Sequence, residues 1–297
     1  MSDGRTIELQ EYKSEIKPTW CPGCGDFAVL NGLQRALQTL QIKPWTVTIV
    51  SGIGCSSNIP HFLSSYGFHS IHGRSIPVAS GIKLANPELT VIAAGGDGDG
   101  YGIGAGHFLH AMRRNLDITY IVMNNQIYGL TTGQASPTSE REMKTKSTPE
   151  GVIENPINPI SLALAAGATY VARGFSGDAK TLGDLFAKGI RHKGFALVDV
   201  LSPCVTYNKQ NTYDWFRQRV YSLEKEGHDP SDFHAAMRRA TEWPNLDQTR
   251  DRIGIGVFYE RTDIPTYEEL EPVLRKGPLV KQPLGLANPE ELLEEFR

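Results

Sequence analysis

Cysteine is scarce. Four residues in a chain of 297 are too few for the disulfide framework of a small secreted domain, and in a reducing compartment such a set more often binds metal or takes part in catalysis. Long apolar runs are missing: no stretch approaches the roughly 18 apolar residues a membrane-spanning helix needs. The opening segment MSDGRTIELQEYKSE is polar, without the apolar stretch of a secretory signal. Charge of one sign is missing too. Lys and Arg number 30 against 33 Asp and Glu, for a formal charge of −3, and the basic residues are scattered, which leaves no electrostatic footprint for nucleic acid. Internal repeats and low-complexity tracts are also absent. At 40% hydrophobic residues the chain has material for a large core, so global disorder is excluded. The expectation is a soluble, cytoplasmic protein with neither nucleic acid nor membrane as partner.

Four short runs rich in β-branched residues, WTVTIV (45–50), LTVIAA (89–94), DITYIVM (117–123) and FALVDVL (195–201), fit strands buried on both faces of a parallel sheet. Helical patterns lie between them. Phe27, Leu30, Leu33, Leu37 and Leu40 recur at helical spacing after Asp26, a candidate cap, and Pro44 ends the pattern. Further helices are expected over 104–115 and 158–168. Alternation of strand and helix predicts an α/β fold, a parallel sheet with helices on both faces. Composition shifts near Tyr213 to charged helical patterns, then to a tail with Pro265, Pro272, Pro278 and Pro283. Residues 1–213 therefore read as the binding domain, and 214–297 as an extension packing on the core or on a partner.

The densest signal is GGDGDGYGIGAG (95–106), between a strand and a helix. Glycines there let backbone N–H groups approach a phosphate, with the positive end of a helix behind them. Gly100, Gly102 and Ala105 also fit G-x-G-x-x-A, but a dinucleotide site wants an acidic residue at the end of the next strand. That strand ends in MNNQIYGLT (123–131). In a parallel pair both strand ends open on one crevice, so Asp97 and Asn125, 28 positions apart, can meet there. One carboxylate oxygen, one amide oxygen and the Ile127 carbonyl, completed by two phosphate oxygens and water, make an octahedral magnesium site.

Two cysteines lie in PTWCPGCGDF (18–27), and a Cys-x-x-Cys pair is a redox dithiol, half a zinc site or half an iron–sulfur site. Cys55 in SGIGCSS and Cys204 in LSPC each follow a predicted strand, on the edge where the diphosphate is expected. One local pair and two singletons suit a four-thiolate site assembled by the fold. Zinc remains the rival, although structural zinc usually takes two local pairs.

GDG followed by the second Asn of NN resembles the thiamine diphosphate signature. Together with WCPGCG, GIGCSS, HGR, KLANP, NNQIYGLTTGQASPTS and LSPC, it closely resembles the β subunit of 2-oxoacid:ferredoxin oxidoreductases, over about residues 15–260. The resemblance implies a [4Fe–4S] cluster on Cys21, Cys24, Cys55 and Cys204, with Mg2+ on Asp97, Asn125 and Ile127. It further implies that Gly54, Cys55, Ser56, Gly96, Gly98, Asp99, Gly129, Leu130 and Thr131 line the thiamine diphosphate, with His72 near its diphosphate or thiazolium as a catalytic candidate. Asn58 and Thr132 occupy substrate-facing positions where many relatives carry lysine, a departure that leaves the choice of 2-oxoacid open. The overall pattern is most similar to the 2-oxoglutarate enzymes, with pyruvate or branched 2-oxoacids as alternatives. The implied partners are an α subunit, in αβ or (αβ)2, ferredoxin, CoA and the 2-oxoacid. The rival class is a non-redox thiamine lyase or synthase with structural zinc.

Overall fold

The computed structural model describes residues 5–244, 251–283, 288–294 and 296. The described residues form ten strands: β1 (Val47–Ser51), β2 (Tyr66–His69), β3 (Thr90–Gly96), β4 (Thr119–Asn124), β5 (Ile127–Tyr128), β6 (Gln134–Ala135), β7 (Tyr170–Phe175), β8 (Ala196–Leu201), β9 (Val220–Ser222) and β10 (Ile253–Glu260). β5 and β6 pair with each other in a small ribbon. The remaining eight form one sheet in the order β2-β1-β3-β4-β8-β7-β10-β9. The four apolar runs are β1, β3, β4 and β8, adjacent and mutually parallel at its centre. Every residue of β1, β4 and β8 is buried, as covered strands require.

Helices cover both faces: α1 (Asp26–Thr39), α2 (Ser75–Ala85), α3 (Ala105–Arg114), α4 (Pro159–Ala165), α5 (Ala179–Arg191), α6 (Tyr213–Arg217) and α7 (Phe233–Ala240). Leu30, Leu33 and Leu37 of α1 meet Leu182, Leu185 and Phe186 of α5 over Ile49, Ile92, Ile121 and Val198. The opposite face packs Val50, Val91, Ala93, Tyr120 and Leu197 under α2, α3, α4 and α7. Neighbouring residues of one strand thus point into different cores. Burial of each large side chain contributes about 1.5–3 kcal/mol.

Several expectations shift. Gly25, not Asp26, is the residue before α1; Asp26 is its first helical residue and is turned inward. The helix closes at Thr39, with Gln41 in the left-handed region (φ 52°), before Pro44 is reached. β2 escaped notice because Tyr-Gly-Phe-His is an exposed edge strand, not an apolar run. β7 did so because Arg173 and Gly174 interrupt its apolar pattern. The sheet is not wholly parallel: β10 runs antiparallel to β7. β9 and β10 come from the 214–297 segment, so its first part is continuous with the core sheet rather than appended to it. Farther on, Glu268 accepts from the Asp117 N–H at 3.1 Å and Lys281 pairs with Glu88 at 2.6 Å, drawing the proline-rich segment along the surface.

Candidate active site

Four loops leave the same edge of the sheet from four adjacent parallel strands, carrying Cys55 after β1, Asp97 after β3, Asn125 after β4 and Cys204 after β8. The first three, with the HGR loop that follows β2, line a cavity of about 300 Å3. Its walls contain Gly54, Cys55, Ser56, His72, Gly96, Asp97, Gly98, Asp99, Asn125, Ile127, Gly129, Leu130 and Thr131, joined by Ile53 and Tyr128. Two expected substrate residues stand outside this wall. The Asn58 amide donates to the Cys55 carbonyl at 3.3 Å, and Thr132, at φ 75°, receives the Lys146 ammonium at 3.1 Å.

The glycine run is not the simple loop its composition suggests. Gly95 and Gly96 belong to β3, and Gly98–Ile103 form a wide helical turn ahead of α3. A β-carbon on Gly95 would stand 2.8 Å from the Asp99 carboxylate, and one on Gly96 3.2 Å from Ser56 Oγ. One on Gly98 would run into the Tyr128 ring, whose hydroxyl donates to the Gly98 carbonyl at 3.1 Å. These glycines are therefore needed for close approach.

Asp97 is 1% exposed. Its Oδ2 accepts from Ser136 Oγ at 2.5 Å and Thr138 Oγ1 at 2.6 Å, while Oδ1 receives the Asn125 N–H at a long 3.3 Å. Burial pushes the carboxyl up to about 6 against the opposing pull of these donors. Among the described residues no Lys or Arg lines the cavity. An anionic diphosphate placed here would face Asp97 and Asp99 without a cation from this wall, so the donor set fits a divalent cation bridging carboxylate and phosphate. Asn125 Oδ1 accepts from the Ile127 N–H at 3.0 Å, which folds amide and carbonyl donors into one tight turn. Sequence reading missed Ser136 and Thr138. They sit in QASPTS, the end of a segment that carries the resemblance, but the resemblance gives neither hydroxyl a role.

Asp99 lines the cavity and also braces the loops around it. Its Oδ1 accepts from the Ile53 N–H at 2.9 Å, the Gly73 N–H at 2.7 Å and His72 Nδ1 at 2.9 Å. It thereby ties the loop after β1 and the HGR loop to the glycine run. A His72 that donates through Nδ1 keeps Nε2 for the cavity.

The CPGC segment is laced to the end of β8. Gly25 N–H donates to the Pro203 carbonyl at 3.4 Å and Ser202 Oγ to Asp26 at 2.9 Å, while Trp20 Nε1 donates to the Cys55 carbonyl at 2.7 Å. All four cysteines are free thiols, with Cys21 exposed. A β-carbon on Gly129 would stand 3.7 Å from the sulfurs of both Cys55 and Cys204, and 3.9 Å from the Asn125 amide. Burial pushes the Cys55 thiol up to about 11, helped by the nearby Asp26 and Cys204, and Cys24 is raised further for the same reasons. Among the described residues no set of three or more His, Cys, Asp or Glu side chains closes on a point that one metal ion could fill.

Residues 52–200 match the thiamine pyrophosphate enzyme C-terminal TPP-binding domain, and 204–276 match the C-terminal family of the pyruvate ferredoxin oxidoreductase β chain. The 2-oxoacid:ferredoxin oxidoreductase β subunit of Saccharolobus solfataricus is 48% identical over 262 residues, 84% of each chain. The 2-oxoglutarate synthase subunit KorB of Methanocaldococcus jannaschii is 47% identical over 188 residues, 63% of this chain and 70% of its own. A solved 2-oxoglutarate:ferredoxin oxidoreductase from Magnetococcus marinus, with 2-oxoglutarate, coenzyme A and succinyl-CoA bound, superposes with a TM-score of 0.89 at 40% identity, covering 100% of this chain and 98% of that one. With its thiamine diphosphate-binding domain placed around the glycine–aspartate cavity, the chain belongs to the β subunits of the 2-oxoacid:ferredoxin oxidoreductases.

Proposed function

We propose that this β subunit, joined to an α subunit in the cytoplasm, converts 2-oxoglutarate, CoA and two oxidised ferredoxins into succinyl-CoA, CO2, a proton and two reduced ferredoxins. The observation that carries the reading is the position of Gly129, between the sulfurs of Cys55 and Cys204 and the amide of Asn125. Electron-accepting and cofactor-binding chemistry then share one wall.

Asp97, the Asn125 side chain and the Ile127 carbonyl would hold Mg2+ against the diphosphate. Cys21, Cys24, Cys55 and Cys204 would hold the [4Fe–4S] cluster. A zinc ion needs its sulfurs about 2.3 Å from a common point, whereas a cluster spreads its thiolates over several irons. Four thiols from three separate loops suit the second arrangement. Thiamine supplies the carbanion chemistry, and the cluster accepts electrons singly. The chain itself supplies orientation. Asp99 fixes His72 with Nε2 toward the cavity, where it would bind a diphosphate oxygen or carry a proton.

The substrate assignment rests on the 2-oxoglutarate named for the relatives and on Lys146, whose ammonium donates to the Thr132 hydroxyl at 3.1 Å, next along the chain from the cavity residue Thr131. There it would meet the second carboxylate of a dicarboxylic 2-oxoacid. Exposed apolar side chains would offer the α subunit a surface. Ile53, Ile71, Ile103 and Leu130 are all exposed, as are Tyr66 and Phe68 on edge strand β2; apolar surface of this kind marks a covered face.

The test is anaerobic co-purification with the native α subunit, followed by CoA-dependent ferredoxin reduction with a panel of 2-oxoacids. Brown protein carrying iron and sulfide, with 2-oxoglutarate preferred, is the expected result. Colourless protein containing zinc and no ferredoxin reduction would refute the assignment.

A further inference from the structure

A second, smaller cavity adjoins the turn that carries Asn125. It measures about 20 Å3 and is lined by Asn124, Gln126, Thr138, Arg173 and Trp243, among others. Two of these side chains are about 1% exposed and bring unpartnered polar atoms, Arg173 Nη1 and Gln126 Oε1. One is a donor and the other an acceptor. Arg173 cannot turn away to solvent: its guanidinium lies 5.1 Å from the Trp243 ring and 5.4 Å from the Phe258 ring, and its Nε bonds Asp199 at 3.4 Å.

Each orphaned group carries the desolvation cost of an unmade hydrogen bond. The volume limits what can relieve them, since a site needs about 10–15 Å3 on this measure to hold one water, and this one offers little more. Chemistry agrees with volume. An anion would suit Arg173 but meet the carbonyl oxygen of Gln126 and the Asp199 carboxylate; a metal cation would meet the guanidinium. Water serves both.

We propose that this cavity holds one internal water, accepting from Arg173 Nη1 and donating to Gln126 Oε1, and that Arg173 is through it a positioning residue for the Asn124–Ile127 turn. The rest of the network is direct. Asp199, bonded to Arg173, accepts from Asn124 Nδ2 at 3.1 Å and from Tyr101 at 2.9 Å. Gln126 Nε2 donates to the Thr138 carbonyl at 3.0 Å, and Ser139 Oγ to the Gln126 carbonyl at 2.7 Å. Both chain neighbours of Asn125 are therefore anchored, Asn124 through Asp199 and Gln126 through the water. Gln126 needs the anchor because it sits at φ 58°, in the left-handed region. The consequence for cofactor binding rests on the magnesium reading above; the water itself does not.

A crystal structure of the αβ complex without Mg2+ or thiamine diphosphate, at a resolution that shows waters, tests occupancy. One density peak within about 2.6–3.2 Å of both atoms is expected. An empty cavity, or a direct Arg173–Gln126 bond, would overturn the proposal. For the positioning role, Gln126→Leu in the complex removes the acceptor and should weaken Mg2+-dependent thiamine diphosphate binding about 10- to 100-fold, the usual effect of losing an outer partner. Gln126→Glu keeps the acceptor and can pair with Arg173 but loses the Nε2 donor to the Thr138 carbonyl, so it should restore part of it. A purely structural residue would lower the melting temperature and leave that affinity unmoved, and that outcome would overturn the role. Should Gln126→Leu fail to fold, affinity in Gln126→Glu within about 10-fold of wild type with the water retained supports the role, and a loss equal to that of Asp97→Ala overturns it. Failure of the magnesium reading is recognised separately, by unchanged affinity in Asp97→Ala.

Discussion

Ser136 donates to the carboxylate of Asp97 across 2.5 Å, joining residues 39 positions apart in the chain. The bond occupies Oδ2 and leaves Oδ1 with one long backbone contact, so the carboxylate is turned to present Oδ1. Replacing Asp97 with Ala should lower Mg2+-dependent thiamine diphosphate affinity by about 100-fold or more, and Ser136→Ala by about 10-fold. Calorimetric titration of the αβ complex reads both. Iron content should stay near wild type, because the cysteines occupy other loops.

Cys204→Ser gives the converse. Iron and sulfide should fall and the brown colour fade, while Mg2+-dependent thiamine diphosphate affinity stays within a few-fold of wild type. Metal analysis beside the same titration checks this; a variant with full iron content would remove Cys204 from the ligand set.

A β-carbon on Gly52 would collide with the Asp99 carboxylate, which three donors hold in place. Gly52→Ala should cost about 1–3 kcal/mol, the range for overpacking a filled interior. It should also weaken cofactor binding, because displacing Asp99 releases both the Ile53 loop and His72. Chemical denaturation and titration in parallel separate the two effects.

Asp97 and Asp26 are both buried and both raised from 3.8 to about 6 by desolvation. In the metal-free protein each binds its proton more tightly folded than unfolded. Their contribution to stability is fully present below about pH 4 and is lost as pH rises through about 6. The loss is on the order of 3 kcal/mol per group. Asp97→Asn should therefore flatten part of the decline in stability of the apo-chain between pH 4 and 7, measured by denaturant titration at each pH. Mg2+ binding has the opposite slope: it needs the carboxylate, and should weaken as pH falls through 6.

Lys146→Ala should raise KM for 2-oxoglutarate about 10-fold, as loss of one charge-assisted contact implies, and leave KM for pyruvate little changed. Equal effects on both substrates would remove Lys146 from substrate selection.

Much of this site could be read from the chain because parallel strands turn sequence order into spatial order. Once 45–50, 89–94, 117–123 and 195–201 were strands of one sheet, Cys55, Asp97, Asn125 and Cys204 had to share an edge. Residues that reach the site by longer routes were not legible. Ser136 and Thr138 arrive on a loop whose hydroxyls look like any solvated turn, and Arg173 looks like a defect in an apolar run. Asp26 looks like a cap because local pattern shows the start of a helix but not the Ser202 hydroxyl waiting across the sheet. β10 was hidden for a related reason, since glycines at 254 and 256 break its apolar pattern and its partner β7 lies far away in the chain.

The hydrogen bond between Ser202 and Asp26 spans 176 residues. During synthesis the CPGC segment leaves the ribosome long before β8 exists, and nothing local brings Cys24 near Cys55 or Cys204. Contacts of such sequence separation form late, and two of the three loops that carry the thiols depend on strands already being paired. A nascent or truncated chain ending before Leu201 should therefore bind iron no better than an isolated Cys-x-x-Cys peptide. On the cluster reading, cofactor loading in the cell would be a late, post-translational event, and its substrate a folded apoprotein rather than an emerging chain.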